Sequence, residues 1–123
     1  MQRILIVDDE RLVADTLALV FEKGGFHAKA AYAVDEAMDD VRAFVPDILL
    51  CDITMPGKDG FELVQEITKE LPECRIMVLT GFHSNLKAVY EKVGKLARPV
   101  SVHTKPCQPD ELLRQASMLL ATA

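Results

Sequence analysis

The chain has 123 residues, enough for one core of ordinary size and too few for two, so a single domain over residues 1–123 is expected. Half of the residues are hydrophobic and 27% are charged, a balance that excludes disorder as the main state. Fourteen Lys and Arg against nineteen Asp and Glu give a formal net charge of -5; this argues against direct nucleic-acid binding or attraction to an anionic membrane surface, and favours a cationic partner, a metal ion or a neutral surface.

The first apolar run, Ile4–Val7, ends on Asp8 and Asp9. It is too short for a signal-peptide core or a membrane span and reads as a first strand. Val13, Leu17, Val20 and Phe21 then recur at helical spacing, and Gly24 with Gly25 marks the stop. His27–Ala31 is a second strand, polar enough to predict a place at the sheet edge. Val34, Met38, Val41 and Val45 carry a second helix up to Pro46, and Ile48–Cys51 is a third strand. Val64, Ile67 and Leu71 carry a third helix before Pro72, followed by a strand at Ile76–Leu79. A fourth helix is expected from about Asn85 to Gly94 on Leu86, Val89 and Val93. Val100–His103 is the last strand, and the last helix opens at Pro109 on Leu112, Leu113, Ala116 and Leu120.

Five short apolar strands in strict alternation with five helices predict an α/β fold with a parallel five-stranded sheet. Right-handed crossovers make this a doubly wound, flavodoxin-like (βα)5 arrangement in the order 2-1-3-4-5, with ligands beyond the carboxyl ends of the strands. No stretch is apolar and long enough to span a membrane, which places the protein in the cytoplasm. The widely spaced Cys51, Cys74 and Cys107 suit neither a disulfide framework nor a zinc site, so they read as reduced and structural.

In that topology Asp8, Asp9, Asp52, Thr80 and Lys105 converge on one edge of the sheet. Each alone has a plain reading: a helix cap, a turn former, a solvated lysine. Together they are informative. Carboxylates crowded to 4 Å repel by roughly 4 kcal/mol per pair at an effective dielectric near 20, so a cation belongs among them. Acidic oxygens with positions left for water and phosphate describe a Mg2+ site, and a nearby lysine can pair with a phosphoryl oxygen. The set reads as a phosphoryl-transfer site in which one carboxylate is the nucleophile. The chain has no Walker loop, no GxGxxG after the first strand and no G-x-S-x-G elbow. His27, His83 and His103 share no metal-ligand spacing.

Four strings at this point carry a resemblance: Ile4-Leu5-Ile6-Val7-Asp8-Asp9-Glu10, Asp47 through Gly60 around Cys51-Asp52-Ile53-Thr54-Met55-Pro56-Gly57, Val78-Leu79-Thr80-Gly81, and Thr104-Lys105-Pro106. In this order and spacing the chain resembles the receiver domain of bacterial two-component response regulators over essentially its whole length. The resemblance implies a phosphoprotein that acts in signal transduction. Asp52 would be the phosphoacceptor, loaded from a phosphohistidine on a sensor histidine kinase or a histidine phosphotransfer protein. Asp9 and Asp52 would ligate Mg2+ (or Mn2+) by side chain, Thr54 by its backbone carbonyl and Asp8 through water. Lys105 would pair with the phosphoryl group, the Thr80 hydroxyl would swing in to bond it, and the Lys105–Pro106 peptide would be cis. Phosphorylation would bias the face of the fourth helix, fifth strand and fifth helix, and so reach a downstream protein or an output domain outside this chain. Such a module promotes only its own phosphorylation and dephosphorylation and is otherwise no enzyme.

The sequence departs from the family pattern in two places. The interval from Thr80 to Lys105 is longer than usual, with the extra length in Lys95-Leu96-Ala97-Arg98-Pro99, and Val102 stands where the family commonly has a switching aromatic. Output could then use Phe82 or Tyr90. Two rival readings are a receiver-like interaction domain that works without phosphorylation, which would be marked by loss of an acidic residue, Thr80 or Lys105, and a Mg2+-dependent phosphohydrolase. The second would call for an aspartate where Thr54 stands.

Overall fold

The computed structural model describes residues 2–53, 60–81, 86–96 and 100–121. Five strands, β1 (Arg3–Val7), β2 (His27–Ala31), β3 (Ile48–Asp52), β4 (Arg75–Thr80) and β5 (Val100–Thr104), alternate with five helices, α1 (Arg11–Lys23), α2 (Val34–Phe44), α3 (Gly60–Glu70), α4 (Leu86–Val93) and α5 (Pro109–Ala121). All strand pairs are parallel and the order is β2-β1-β3-β4-β5. This is the doubly wound α/β fold expected from the alternation, with the polar β2 at one edge.

Side chains alternate across the pleat, so each central strand feeds two cores. Leu5, Val7, Leu49, Cys51, Ile76 and Val78 meet Val34, Val41, Leu63, Ile67 and Val89 from α2, α3 and α4. Ile4, Ile6, Ile48, Leu50, Met77 and Leu79 meet Leu17, Phe21, Leu112 and Ala116 from α1 and α5. β1 is fully covered except at Arg3 and β3 is covered throughout, whereas every residue of β5 is half-buried. The free cysteines follow suit, with Cys51 and Cys74 buried and Cys107 half-buried.

Helix ends show the local chemistry. Gly24 closes α1 with its N–H on the Val20 and Phe21 carbonyls, and Gly25 takes φ 97°, a conformation that favours glycine. Phe26 then folds back edge-on against Phe21, ring centroids 5.3 Å apart. The α2 pattern runs through Val45 in sequence, but the helix stops at Phe44 and Val45 sits at φ 49°, ψ 70°. Pro46 disfavours the helical region for the residue before it, and the chain turns through the left-handed region instead. Likewise Leu71 lies just past α3, held by its N–H to the Ile67 carbonyl. The fourth helix is shorter than expected: it starts at Leu86, Asn85 lies outside the described residues, and Gly94–Leu96 form turns whose N–H groups reach back to Tyr90, Lys92 and Val93.

Candidate functional site

Parallel pairing brings the carboxyl ends of β1, β3, β4 and β5 to one edge. Asp52 closes β3 opposite Leu79, and Thr80 closes β4 opposite Thr104. Asp8 leaves β1 with its N–H on the Ala31 carbonyl, and Lys105 leaves β5 with its N–H on the Thr80 carbonyl. Backbone bonds thus fix all four positions before any side chain is placed.

One carboxylate oxygen from each of Asp8, Asp9 and Asp52 lies within 4.8 Å of the others. Asp8 and Asp52 are buried and Asp9 is exposed, so the cluster is open on the Asp9 side. The Lys105 ammonium reaches it from β5, donating to Asp52 Oδ2 at 2.8 Å and to Asp8 Oδ2 at 3.0 Å. Asp8 Oδ1 accepts the Glu10 N–H at 3.0 Å just ahead of α1.

Electrostatics follow from burial. Desolvation pushes the Asp8 carboxyl above its ordinary range, against the Glu10 N–H and Lys105, and the Asp52 charge adds to the rise. Burial alone lowers the Lys105 ammonium, but its bonds to Asp52 and Asp8 outweigh that and hold its pKa well above the ordinary value. Lys105 is therefore a fixed cation. The Thr80 hydroxyl is fully buried and has no hydrogen-bond partner among the described residues. A buried donor left unpaired at a strand end costs free energy unless something else completes it.

Of the residues singled out in the sequence, the structure brings Asp8, Asp9, Asp52 and Lys105 into one cluster and sets Thr80 at the neighbouring strand end. The Lys105–Pro106 peptide is cis. Thr54 and Phe82 lie outside the described residues. Gly60 had no assigned role: a Cβ there would stand 2.9 Å from Ile53 Cα and 3.0 Å from the Asp52 carbonyl oxygen. Only glycine lets α3 begin so close to the strand that carries Asp52, and the glycine that ends the Asp47–Gly60 string was the signal available. Between α1 and the turn after β5 lies an apolar cleft of about 450 Å3, lined by Leu12, Val13, Leu17, Pro106 and Leu112.

A family model for the response regulator receiver domain matches residues 4–117. The chain belongs to that family. Among solved structures, the receiver domain of NtrX from Brucella abortus superposes with a TM-score of 0.85 at 29% identity, covering 98% of this chain and 99% of that one. A CheY-like receiver domain protein from Methanospirillum hungatei JF-1 gives 0.85 at 26% identity, covering 99% and 95%. A longer NtrX structure, in complex with ATP, gives 0.86 at 29% identity over 98% of this chain, which spans only 27% of that one. Receiver domains bind Mg2+ through an acidic pocket, and this chain has an acidic cluster of Asp8, Asp9 and Asp52 at the corresponding end of the sheet. Its donors fit: clustered hard oxygens, one side open, and a buried hydroxyl awaiting an acceptor. No helix among the described residues is long and apolar enough to cross a membrane.

Proposed function

We propose that this receiver domain is the phosphoacceptor of a two-component signalling system, and that Asp52 takes a phosphoryl group from a phosphohistidine on a sensor histidine kinase or phosphotransfer protein. The observation that carries this reading is Lys105 bridging Asp8 and Asp52 above an open carboxylate cluster, with the unpartnered Thr80 hydroxyl alongside. In the transfer, an Asp52 carboxylate oxygen attacks phosphorus, the new P–O bond forms as the P–N bond of phosphohistidine breaks, and the nitrogen lone pair returns to the imidazole. Lys105 exchanges a carboxylate oxygen for a phosphoryl oxygen, and Thr80 donates its hydroxyl to another. Asp9 and Asp52, with the Thr54 carbonyl and with Asp8 through water, would hold Mg2+ (or Mn2+), which when bound neutralises charge on the phosphoryl oxygens.

Phosphorylation adds charge at the ends of β3 and β4, and ordering of Thr80 toward it biases α4, β5 and α5, the face through which a downstream protein or output domain is reached. Val102 packs against the core from β5, so output runs without a rotating aromatic there. Tyr90 on α4 is exposed and is the described aromatic on that face.

Intact mass after incubation with a small phosphodonor, with and without Mg2+, tests the reading on wild type and Asp52→Asn. One Mg2+-dependent phosphoryl adduct that the substitution abolishes is the expected result. A folded wild type that binds Mg2+ and gains no adduct overturns it in favour of an interaction domain that works without phosphorylation.

A further inference from the structure

Two residues beyond Asp9, Arg11 opens α1 and is exposed. Its guanidinium lies over the Tyr32 ring, 4.2 Å from the centroid. Tyr32 directly follows β2 and so stands on the same edge of the sheet as the acidic cluster. The ring's hydroxyl donates to Asp15 Oδ1 at 2.5 Å, and the Tyr32 backbone N–H donates to Glu36 Oε2 at 3.4 Å. Stacking fixes the plane of a guanidinium and leaves its N–H fork clear. Among the described residues Arg11 forms no ion pair, although Asp15 and Glu36 share its surroundings. The two cations therefore differ in kind: Lys105, entering from β5, is spent on Asp8 and Asp52, whereas Arg11, on the β2 side, is held in place with its donors free.

We propose that Arg11 is a recognition residue for the phosphodonor protein, taking a carboxylate on that partner's surface in a two-pronged contact. This rests on the reading of Asp52 as the acceptor. A planar fork matches a carboxylate. Asp9, Asp15 and Glu36 are exposed acidic groups on the same flank, so a carboxylate set beside the guanidinium instead of on it meets like charge. One attractive point in a repulsive field sets the partner's orientation and rejects misplaced ones.

The test compares two donors: a phosphohistidine-bearing phosphotransfer protein that loads the wild-type chain, and phosphoramidate, which carries no carboxylate. Arg11→Ala is expected to slow loading from the protein by about tenfold at low salt, the loss of one charge-assisted contact. The deficit narrows as salt rises, and loading from phosphoramidate stays within about twofold of wild type. Arg11→Lys restores only part of the rate, and Tyr32→Phe, which frees the ring from Asp15, gives an intermediate loss. Equal slowing with both donors overturns the inference by making the stack a support of the acceptor site. No slowing with either overturns it as well. Loading of wild type by phosphoramidate reports on Asp52 alone, so the two readings fail separately.

Discussion

Thr80 and Asp8 are both buried polar groups at the carboxyl ends of their strands, and burial of each costs the free protein. The Thr80 hydroxyl is fully buried and unpartnered, so Thr80→Val, close in shape, is expected to raise the stability of the unphosphorylated protein by about 1 kcal/mol. The same variant loses the structural response to a phosphoryl mimic, read from amide chemical shifts of β4 and β5. Asp8 is buried beside Asp52, and its carboxyl resists ionisation. Asp8→Asn keeps an acceptor for the Glu10 N–H and is expected to stabilise the Mg2+-free protein by about 1–2 kcal/mol while removing its thermal response to Mg2+. Differential scanning calorimetry with and without the ion checks both. The identity of these residues was legible because each ends an apolar run. The Arg11–Tyr32–Asp15 stack was not, since it joins α1 to the turn after β2 and no periodicity links residues that meet only across elements.

Individual elements show where a local rule yields to a neighbour. The five strands were legible to within one residue at either end, since runs buried on both faces have few other readings. Helix ends were harder. The period of α2 includes Val45, yet Pro46 turns it left-handed, a conformation costly for a β-branched residue. Val45 is about half exposed and gives up little burial on truncation, so Val45→Gly is expected to stabilise the protein by about 1 kcal/mol in urea denaturation. Gly60 is the opposite case. A methyl group there meets the backbone of Ile53 and Asp52, so Gly60→Ala is expected to cost about 1–3 kcal/mol and to slow loading of Asp52 by shifting its strand end. Of the longer Lys95–Pro99 segment before β5, Lys95 and Leu96 turn off the end of α4 with their N–H groups on the Lys92 and Val93 carbonyls, and positions 97–99 lie outside the described residues.

For the molecule as a whole, one pH-sensitive group outside the cluster is His103, which lies half-buried on β5 with its Nε2 2.7 Å from Ser101 Oγ. Burial lowers its pKa below the ordinary 6.5, so the folded state holds it neutral while the unfolded chain takes up a proton. Its contribution is present above pH 6.5 and is lost as pH falls from there. His103→Gln is expected to flatten the fall in thermal midpoint between about pH 7 and 5 relative to wild type, and a parallel pair of curves would remove His103 from the account. Order also differs across the sheet: β5 is half-buried and pairs with β4 alone, while β1 and β3 sit in the middle. Lys105, which leaves that outer strand, holds Asp8 across 97 positions of sequence and Asp52 across 53. A chain emerging from the ribosome therefore presents its aspartates long before the lysine that reconciles them. A copy broken off ahead of β5 lacks the lysine that bridges Asp8 and Asp52, so its crowded carboxylates are left without that counter-charge and the end of the sheet that holds them cannot close.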